Sequence, residues 1–242
     1  MKDFLIIDKV DSTNSYIRRS IADLPDLFAV TAGMQTAGRG RRGHDWLADD
    51  GMLPLSILIK DPVSPETLTL RAGVAVCEAI EKFYADGSLH AGIKWPNDVI
   101  INSRKVCGIL CESVCIGDKI NIICGIGVNL AQEEGFFKSA GIPHGASLKM
   151  LTGTAPDRNS LAEEIVSNMR KLCGCEFKDV YERYKQRCLN LGKDVRIIGE
   201  SGERTAFALD IAPNGFLVCK DDSGFFEVNS GEVSVRGLMD YI

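Results

Sequence analysis

No apolar run in this chain approaches the roughly 18 residues needed to span a bilayer as a helix. The opening "MKDFLIIDKVDS" turns acidic too soon for a secretory leader. An excess of positive charge is missing as well: 28 Lys and Arg face 33 Asp and Glu, for a net charge of −5. A pI near 5.3 argues against a general nucleic-acid binder, which carries a net basic face. Repeats, low-complexity tracts and long linkers are absent too. What remains, 242 residues at 45% apolar and 25% charged, is the composition of a soluble, cytoplasmic globular protein. The length suits one large domain, or a medium domain with a small partner.

Nine cysteines make an odd number in a chain too long for a small secreted scaffold, so reduced thiols are expected. Cys107, Cys111 and Cys115 recur every four residues. The segment "KVCGILCESVC" reads as a strand, where four residues span about 13 Å, too far for one shared metal.

The stretch "GRGRRG" at 38–43 places Arg39, Arg41 and Arg42 within four positions of an acidic chain. It fits the glycine pattern of a dinucleotide turn, but "GMQTA" separates it from the preceding strand and "HDWLADDG" does not open a helix. It nearly fits a phosphate-binding P-loop, but His44 and Asp45 stand where Lys and Ser or Thr are required. A basic nucleic-acid arm would be isolated here, and a solvated surface loop is the plainest alternative. A flexible loop that closes on a phosphate-bearing ligand fits best. Glycine lets the backbone fold over, and arginine grips phosphate oxygens in two-pronged geometry.

"DSTNSYIRRSIADL" reads as a helix start, with Ser12, Thr13 or Asn14 as cap. "LFAVTAG" and "MLPLSILIK" read as strands, Pro54 marking a beginning or an edge. "SPETLTLRAGVAVCEAIEKFYADG" is the clearest helix. Ser64 is its expected cap, Pro65 its first residue and Gly87 its end, with Leu68, Ala72, Ala75, Val76, Ala79, Ile80 and Phe83 on the inner stripe. Short strands follow at "AGIKW", "DVIIN", "KVCGILCESV" and "INIICGIGVNL", whose tight turns indicate antiparallel pairing. Two helices then precede a change of pattern near Gly192. Beyond it lies a small all-β unit with strands at "KDVRIIG", "RTAFALDI", "FLVCK" and "FFEVN", expected to form a barrel.

"KWPNDV" (94–99), "RKVCGILCE" (104–112) and "GIGVNL" (125–130) fall on consecutive strands or their turns. Lys94 and Lys105 are cations at strand ends. Asn97 and Asp98 sit after a proline, where short polar side chains also serve local turns. Gly125 and Gly127 share a strand face left bare for a flat ligand or another backbone, or mark a bulge.

Taken with "DSTN", "QTAGRGRRGHDW" and "GEVSVR", and in this order, these motifs resemble those of biotin–protein ligases over nearly the whole chain. The resemblance implies an α+β fold: a mixed, largely antiparallel sheet flanked by helices, like class II aminoacyl-tRNA synthetases, with a C-terminal SH3-like β-barrel. That places a catalytic domain at 1–190 and the barrel at 191–242. Because "DSTN" begins at Asp11, an N-terminal helix-turn-helix is not expected, and neither is DNA binding.

The same resemblance implies a biotin site from Ser12, Thr13, Asn14, Gln35, Arg39, Gly40, Arg41, Lys105, Gly108, Gly125 and Gly127. It implies an ATP site from Arg41, Arg42, Trp46, Asn97, Asp98, Lys105 and Asn129. Lys105, Arg39 and Arg41 would be catalytic, with Mg²⁺ accompanying ATP through ligands the sequence does not specify. His44, Asp45 and Pro54 depart from some relatives. The implied partner is the biotin carboxyl carrier domain of a carboxylase; the oligomeric state, a homodimer included, stays open. A lipoate-type ligase or transferase on a related fold, or a non-catalytic biotin sensor, are the alternatives.

Overall fold

A computed structural model describes residues 3–43, 46, 49–84, 89–199, 202–230, 234–237 and 241–242, without the side chain of Arg42. The expected helix end at Gly87, the pair His44-Asp45, and Gly231 to Val233 of "GEVSVR" lie outside the described residues.

The larger part is a seven-stranded sheet in the order β1-β2-β3-β7-β6-β5-β4. Its strands are β1 (Phe4–Val10), β2 (Ala29–Gln35), β3 (Met52–Lys60), β4 (Gly92–Lys94), β5 (Asp98–Ile101), β6 (Arg104–Ile116) and β7 (Lys119–Asn129). Only β1 and β2 run parallel; every other neighbouring pair is antiparallel. The helices are α1 (Thr13–Ser20), α2 (Leu68–Phe83), α3 (Glu134–Ser139), α4 (Leu148–Thr152), α5 (Arg158–Cys173) and α6 (Phe177–Arg187). A five-stranded antiparallel sheet closes the chain in the order β11-β10-β9-β8-β12. Its members are β8 (Lys193–Gly199), β9 (Gly202–Ile211), β10 (Leu217–Asp221), β11 (Gly224–Val228) and β12 (Ser234–Gly237).

Strand alternation divides the large sheet into two faces. Leu53, Leu55, Ile57 and Ile59 of β3, with Ile122, Cys124, Ile126 and Val128 of β7, pack against α2 and α5 in the main core. The opposite face is covered only in part. There α1 sets Ile17 and Ile21 against Val30, Leu58 and Ile123. Eight residues are too few for a helix stable in isolation, so this packing holds α1 in place. Burying a side chain such as Ile17 contributes about 1.5–3 kcal/mol. The rest of that face, beyond α1, is the cleft described below.

Several expectations change. Ser64 gives no side-chain cap; Pro65 opens a single 3-10 turn, and α2 proper starts at Leu68. Phe83 is 39% exposed, outside the buried stripe, because the helix has run past the edge of the core by then. Pro54 lies in an interior strand, but near its start, where pairing with β2 has already stopped at Leu55. Its carbonyl accepts a 2.8 Å bond from the Thr31 hydroxyl. Asp98 belongs to β5 and not to the turn before it. The edge strand β1, the last strand β12 and the short helices α3 and α4 went unread, being short or only half-buried.

Candidate active site

The cleft floor is a row of paired residues crossing five strands. Lys94 pairs with Asp98, Asp98 with Gly108, Gly108 with Gly127, and Gly127 with Pro54. Charged side chains thus stand at one end and bare backbone in the middle. Ser12 caps α1 through its hydroxyl, which settles the choice among the three candidate caps. That cap brings Thr13 and Asn14 to the wall opposite the charges.

Two adjoining clefts result. The first, about 540 Å³, is lined by Ser12, Thr13, Asn14, Gln35, Arg39, Gly108, Gly125 and Gly127. The second, about 1170 Å³, is lined by Lys94, Asp98, Asn129, Phe136, Phe137, Arg236 and Tyr241. Gly40, Arg41, Trp46, Asn97 and Lys105 line both. Every expected site residue whose side chain is described therefore borders one cleft or the other.

The bare glycine face is occupied by protein. A side chain at Gly125 would meet Asn14 Oδ1 at 2.5 Å, and one at Gly127 would meet the Trp46 indole at 2.6 Å. Gly108 would meet the same indole at 2.7 Å. The glycines thus make room for Asn14 and Trp46, whose faces form the cleft surface. Trp46 Nε1 is buried with no acceptor among the described residues.

Apart from Arg39, Arg41 and Lys105, the polar groups around the first cleft are neutral and chained. The Thr13 amide donates to Gln35 Oε1 at 2.9 Å, and the Ser56 hydroxyl sits 2.7 Å from Thr13 Oγ1. Between the clefts the groups are charged. Lys105 Nζ lies 2.6 Å from Asp98 Oδ1 and 5.4 Å from the centre of the Trp46 ring. Arg41 donates to Asn97 Oδ1 at 2.7 Å and also to the Ser230 carbonyl. Asn129 spends its amide donors on the carbonyls of Lys105 and Ala146, so it fixes the start of β6. Arg39 lies 3.5 Å from Glu112.

Burial and charge set the protonation of this end. Burial pushes the Asp98 carboxyl upward, but Lys105 and Lys94 outweigh it and hold it below its ordinary value. Burial pulls Lys94 down to about 8 against the attraction of Asp98, and Lys105, Arg236 and Arg41 pull the same way. Burial, then the Asp98 charge, raises the Tyr241 phenol. Its hydroxyl donates to Asp98 Oδ2 at 2.5 Å, while the Lys94 ammonium lies 3.9 Å over its ring.

Residues 6–129 match the model of the biotin/lipoate A/B protein ligase family. The chain belongs to that family. The "Bifunctional ligase/repressor BirA" of Salmonella typhimurium is 31% identical over 240 residues, covering 96% of this chain and 73% of the relative. A "Biotin--[acetyl-CoA-carboxylase] ligase" of Mycobacterium tuberculosis is 30% identical, covering 94% of this chain and 87% of its own. The biotin protein ligase of Aquifex aeolicus, solved with biotin and ATP, superposes with a TM-score of 0.80 at 30% identity. That match covers 98% of this chain and all of the other.

For a biotin/lipoate ligase fold, sequence reasoning left out of the site Lys94, Phe136, Phe137, Arg236 and Tyr241, among others. Lys94 was visible in "KWPNDV" as a strand-end cation. Phe136 sits on α3, which was unread. Arg236 and Tyr241 arrive from the C-terminal unit, and nothing near them in the sequence points at β5.

Proposed function

We propose that this protein joins biotin to a lysine of a biotin carboxyl carrier domain, using ATP and passing through biotinyl-5′-AMP. The shared wall of the two clefts carries this reading: Arg41, Lys105 and Asn97 stand where one cleft meets the other. A small acid in the first cleft and a nucleotide in the second would bring carboxylate and α-phosphate together at that wall. Two anions meet only where charge is neutralised, and preorganised cations do this without reorganisation. Holding the reacting atoms in line supplies much of the remaining acceleration.

In the first step a biotin carboxylate oxygen attacks the α-phosphorus and pyrophosphate leaves. In the second, the carrier lysine amine attacks the acyl carbonyl and AMP leaves. Neither step needs a protein nucleophile. Phe136 and Phe137, packed edge to face at 5.3 Å, offer an aromatic wall for the base. Mg²⁺, which binds through one or two carboxylates plus substrate phosphates, would neutralise the triphosphate. Asp98 is the carboxylate lining that cleft among the described residues, which hold no group of three or more Asp, Glu, Cys or His side chains placed to hold a metal ion.

Residues 1–190 form the catalytic part on this reading, and 191–242 a C-terminal unit that completes the second cleft. A cytoplasmic setting accords with reduced cysteines and with the lack, among described residues, of a helix able to cross a membrane. The test is mass spectrometry of a purified carrier domain incubated with the protein, biotin and ATP. One added biotinyl group on a single lysine is expected. An unmodified carrier, with no pyrophosphate released, would overturn the reading.

A further inference from the structure

Glu112 closes the "RKVCGILCE" stretch and borders neither cleft. It stands on β6 opposite Ile123, on the same face as the cleft but underneath α1. Its Oε2 accepts a 2.7 Å bond from Asn14 Nδ2, and its Oε1 pairs with Arg18 at 3.0 Å. On the other side of Asn14, Oδ1 accepts a 2.5 Å bond from the Ser56 hydroxyl. Ser56 is fully buried. The Asn14 amide is therefore clamped at both ends while its flat face lies on Gly125.

We propose that Glu112 is a positioning residue for biotin recognition, acting through Asn14; the inference rests on the reading of the first cleft given above. An ionised carboxylate only accepts, so it forces the Asn14 NH₂ toward itself and the Asn14 oxygen toward Ser56. Ser56 has one proton, which goes to that oxygen. Ser56 Oγ also lies 2.7 Å from Thr13 Oγ1, so with the Ser56 proton on Asn14 the proton between the two hydroxyls is that of Thr13, at the expense of its longer 3.3 Å contact to Gln35 Oε1. The Thr13 amide in turn donates to Gln35 Oε1 at 2.9 Å, leaving the Gln35 NH₂ turned toward Gly38 of the arginine loop. One half-buried acid thus sets the donor and acceptor order of Asn14, Ser56 and Thr13, while Gln35 is oriented by the Thr13 backbone amide, which donates in any case.

That order matters because biotin carries two polar ends, a carboxylate and a cyclic urea. Arg41 and Lys105 stand at the wall shared with the second cleft, so the carboxylate belongs there. The urea, with its fixed pattern of one acceptor and two donors, then lies against the neutral chain. A flipped Asn14 would present the wrong partner to it. Glutamine at 112 offers either an oxygen or an NH₂ to Asn14 and no longer dictates the orientation, although its shape is the same.

The experiment measures adenylate formation by pyrophosphate release in the intact protein. Glu112→Gln is expected to raise the KM for biotin by about tenfold to hundredfold, the span of a lost charge-assisted hydrogen bond. The kcat at saturating biotin and the KM for ATP should stay within threefold of wild type. Ser56→Ala, which opens the other side of the clamp, should raise the same KM. A cycle with Asn14→Ala distinguishes action through Asn14 from a general packing role. Glu112→Gln added to Asn14→Ala should cost nothing further. Fully additive losses, or a Glu112→Gln variant with wild-type KM, would overturn the proposal. So would coupling to Arg39→Ala with none to Asn14→Ala. If wild type itself makes no adenylate from biotin and ATP, the reading of the cleft falls, and this proposal with it.

Discussion

Lys105 touches Asp98 at 2.6 Å and borders both clefts, so its ammonium sits where carboxylate and phosphate would meet. Lys105→Ala should slow pyrophosphate release by about 10²–10³-fold, as for loss of one preorganised contact to developing charge. A rate within threefold of wild type would remove Lys105 from catalysis. Lys94 offers a test by pH. Its folded pKa of about 8 lies below the ordinary 10.5, so between those values the unfolded chain holds more protons. Stability gained from this group therefore rises with pH across that window, and below about 8 its charge is a constant cost. The catalytic effect runs the other way. As pH climbs through about 8 the cleft loses a positive charge, and kcat/KM for ATP should fall. Lys94→Arg keeps the charge. A limb that persists unchanged in that variant would mean another group titrates.

Among the elements, α1 and the β6–β7 pair decide the site. Ile17 is fully buried and anchors a helix whose first turn carries Thr13 and Asn14. Ile17→Ala should cost about 2–5 kcal/mol in urea unfolding. A loss under about 0.5 kcal/mol, the size of an ordinary surface change, would mean α1 is not held by its apolar side. On β7, Gly127→Ala would set a methyl 2.6 Å from the Trp46 indole, so the ring must move. Trp95 is only 1% exposed, so acrylamide quenching of tryptophan emission reports chiefly on Trp46. Increased quenching is expected in the variant; unchanged quenching would show that the ring does not rest on this glycine.

Across the whole molecule, the C-terminal unit reaches into the site through Ser230, Arg236 and Tyr241, among the described residues. Tyr241 holds Asp98, and Arg41 of the loop donates both to Asn97 and to the Ser230 carbonyl. Arg41 therefore ties the loop, the strand turn and the C-terminal unit together over the junction of the clefts. Removing it should weaken retention of the acyl adenylate more than its synthesis, because Arg39 and Lys105 still neutralise charge. Losing about 1.5–3 kcal/mol corresponds to roughly tenfold to hundredfold faster escape. Arg41→Gly should thus biotinylate serum albumin present as a bystander, read on a streptavidin blot. A variant that makes adenylate yet leaves albumin unlabelled would show that Arg41 does not guard the intermediate.

Local chemistry was legible in the sequence. A Ser-Thr-Asn run ahead of an apolar periodic stretch marks a helix cap, although only the structure picks Ser12, and β3 and β7 read as strands from their apolar runs. The glycines at 125 and 127 suggest a bare strand face or a bulge, and Arg39, Arg41 and Arg42 in an acidic chain point toward an anion. Such signals have periods of two to four residues, so they need no knowledge of the fold. The order of strands in space does. Glu112 meets Asn14 across 98 residues, Asp98 meets Tyr241 across 143, and Arg41 meets Ser230 across 189. No periodicity spans such distances; sheet order and register alone bring those atoms together. The sequence by itself determined which short motifs are candidates for the site and what charge they carry. The tertiary structure decided what covers the glycines, which way the Asn14 amide points, and how far the C-terminal unit reaches into the site.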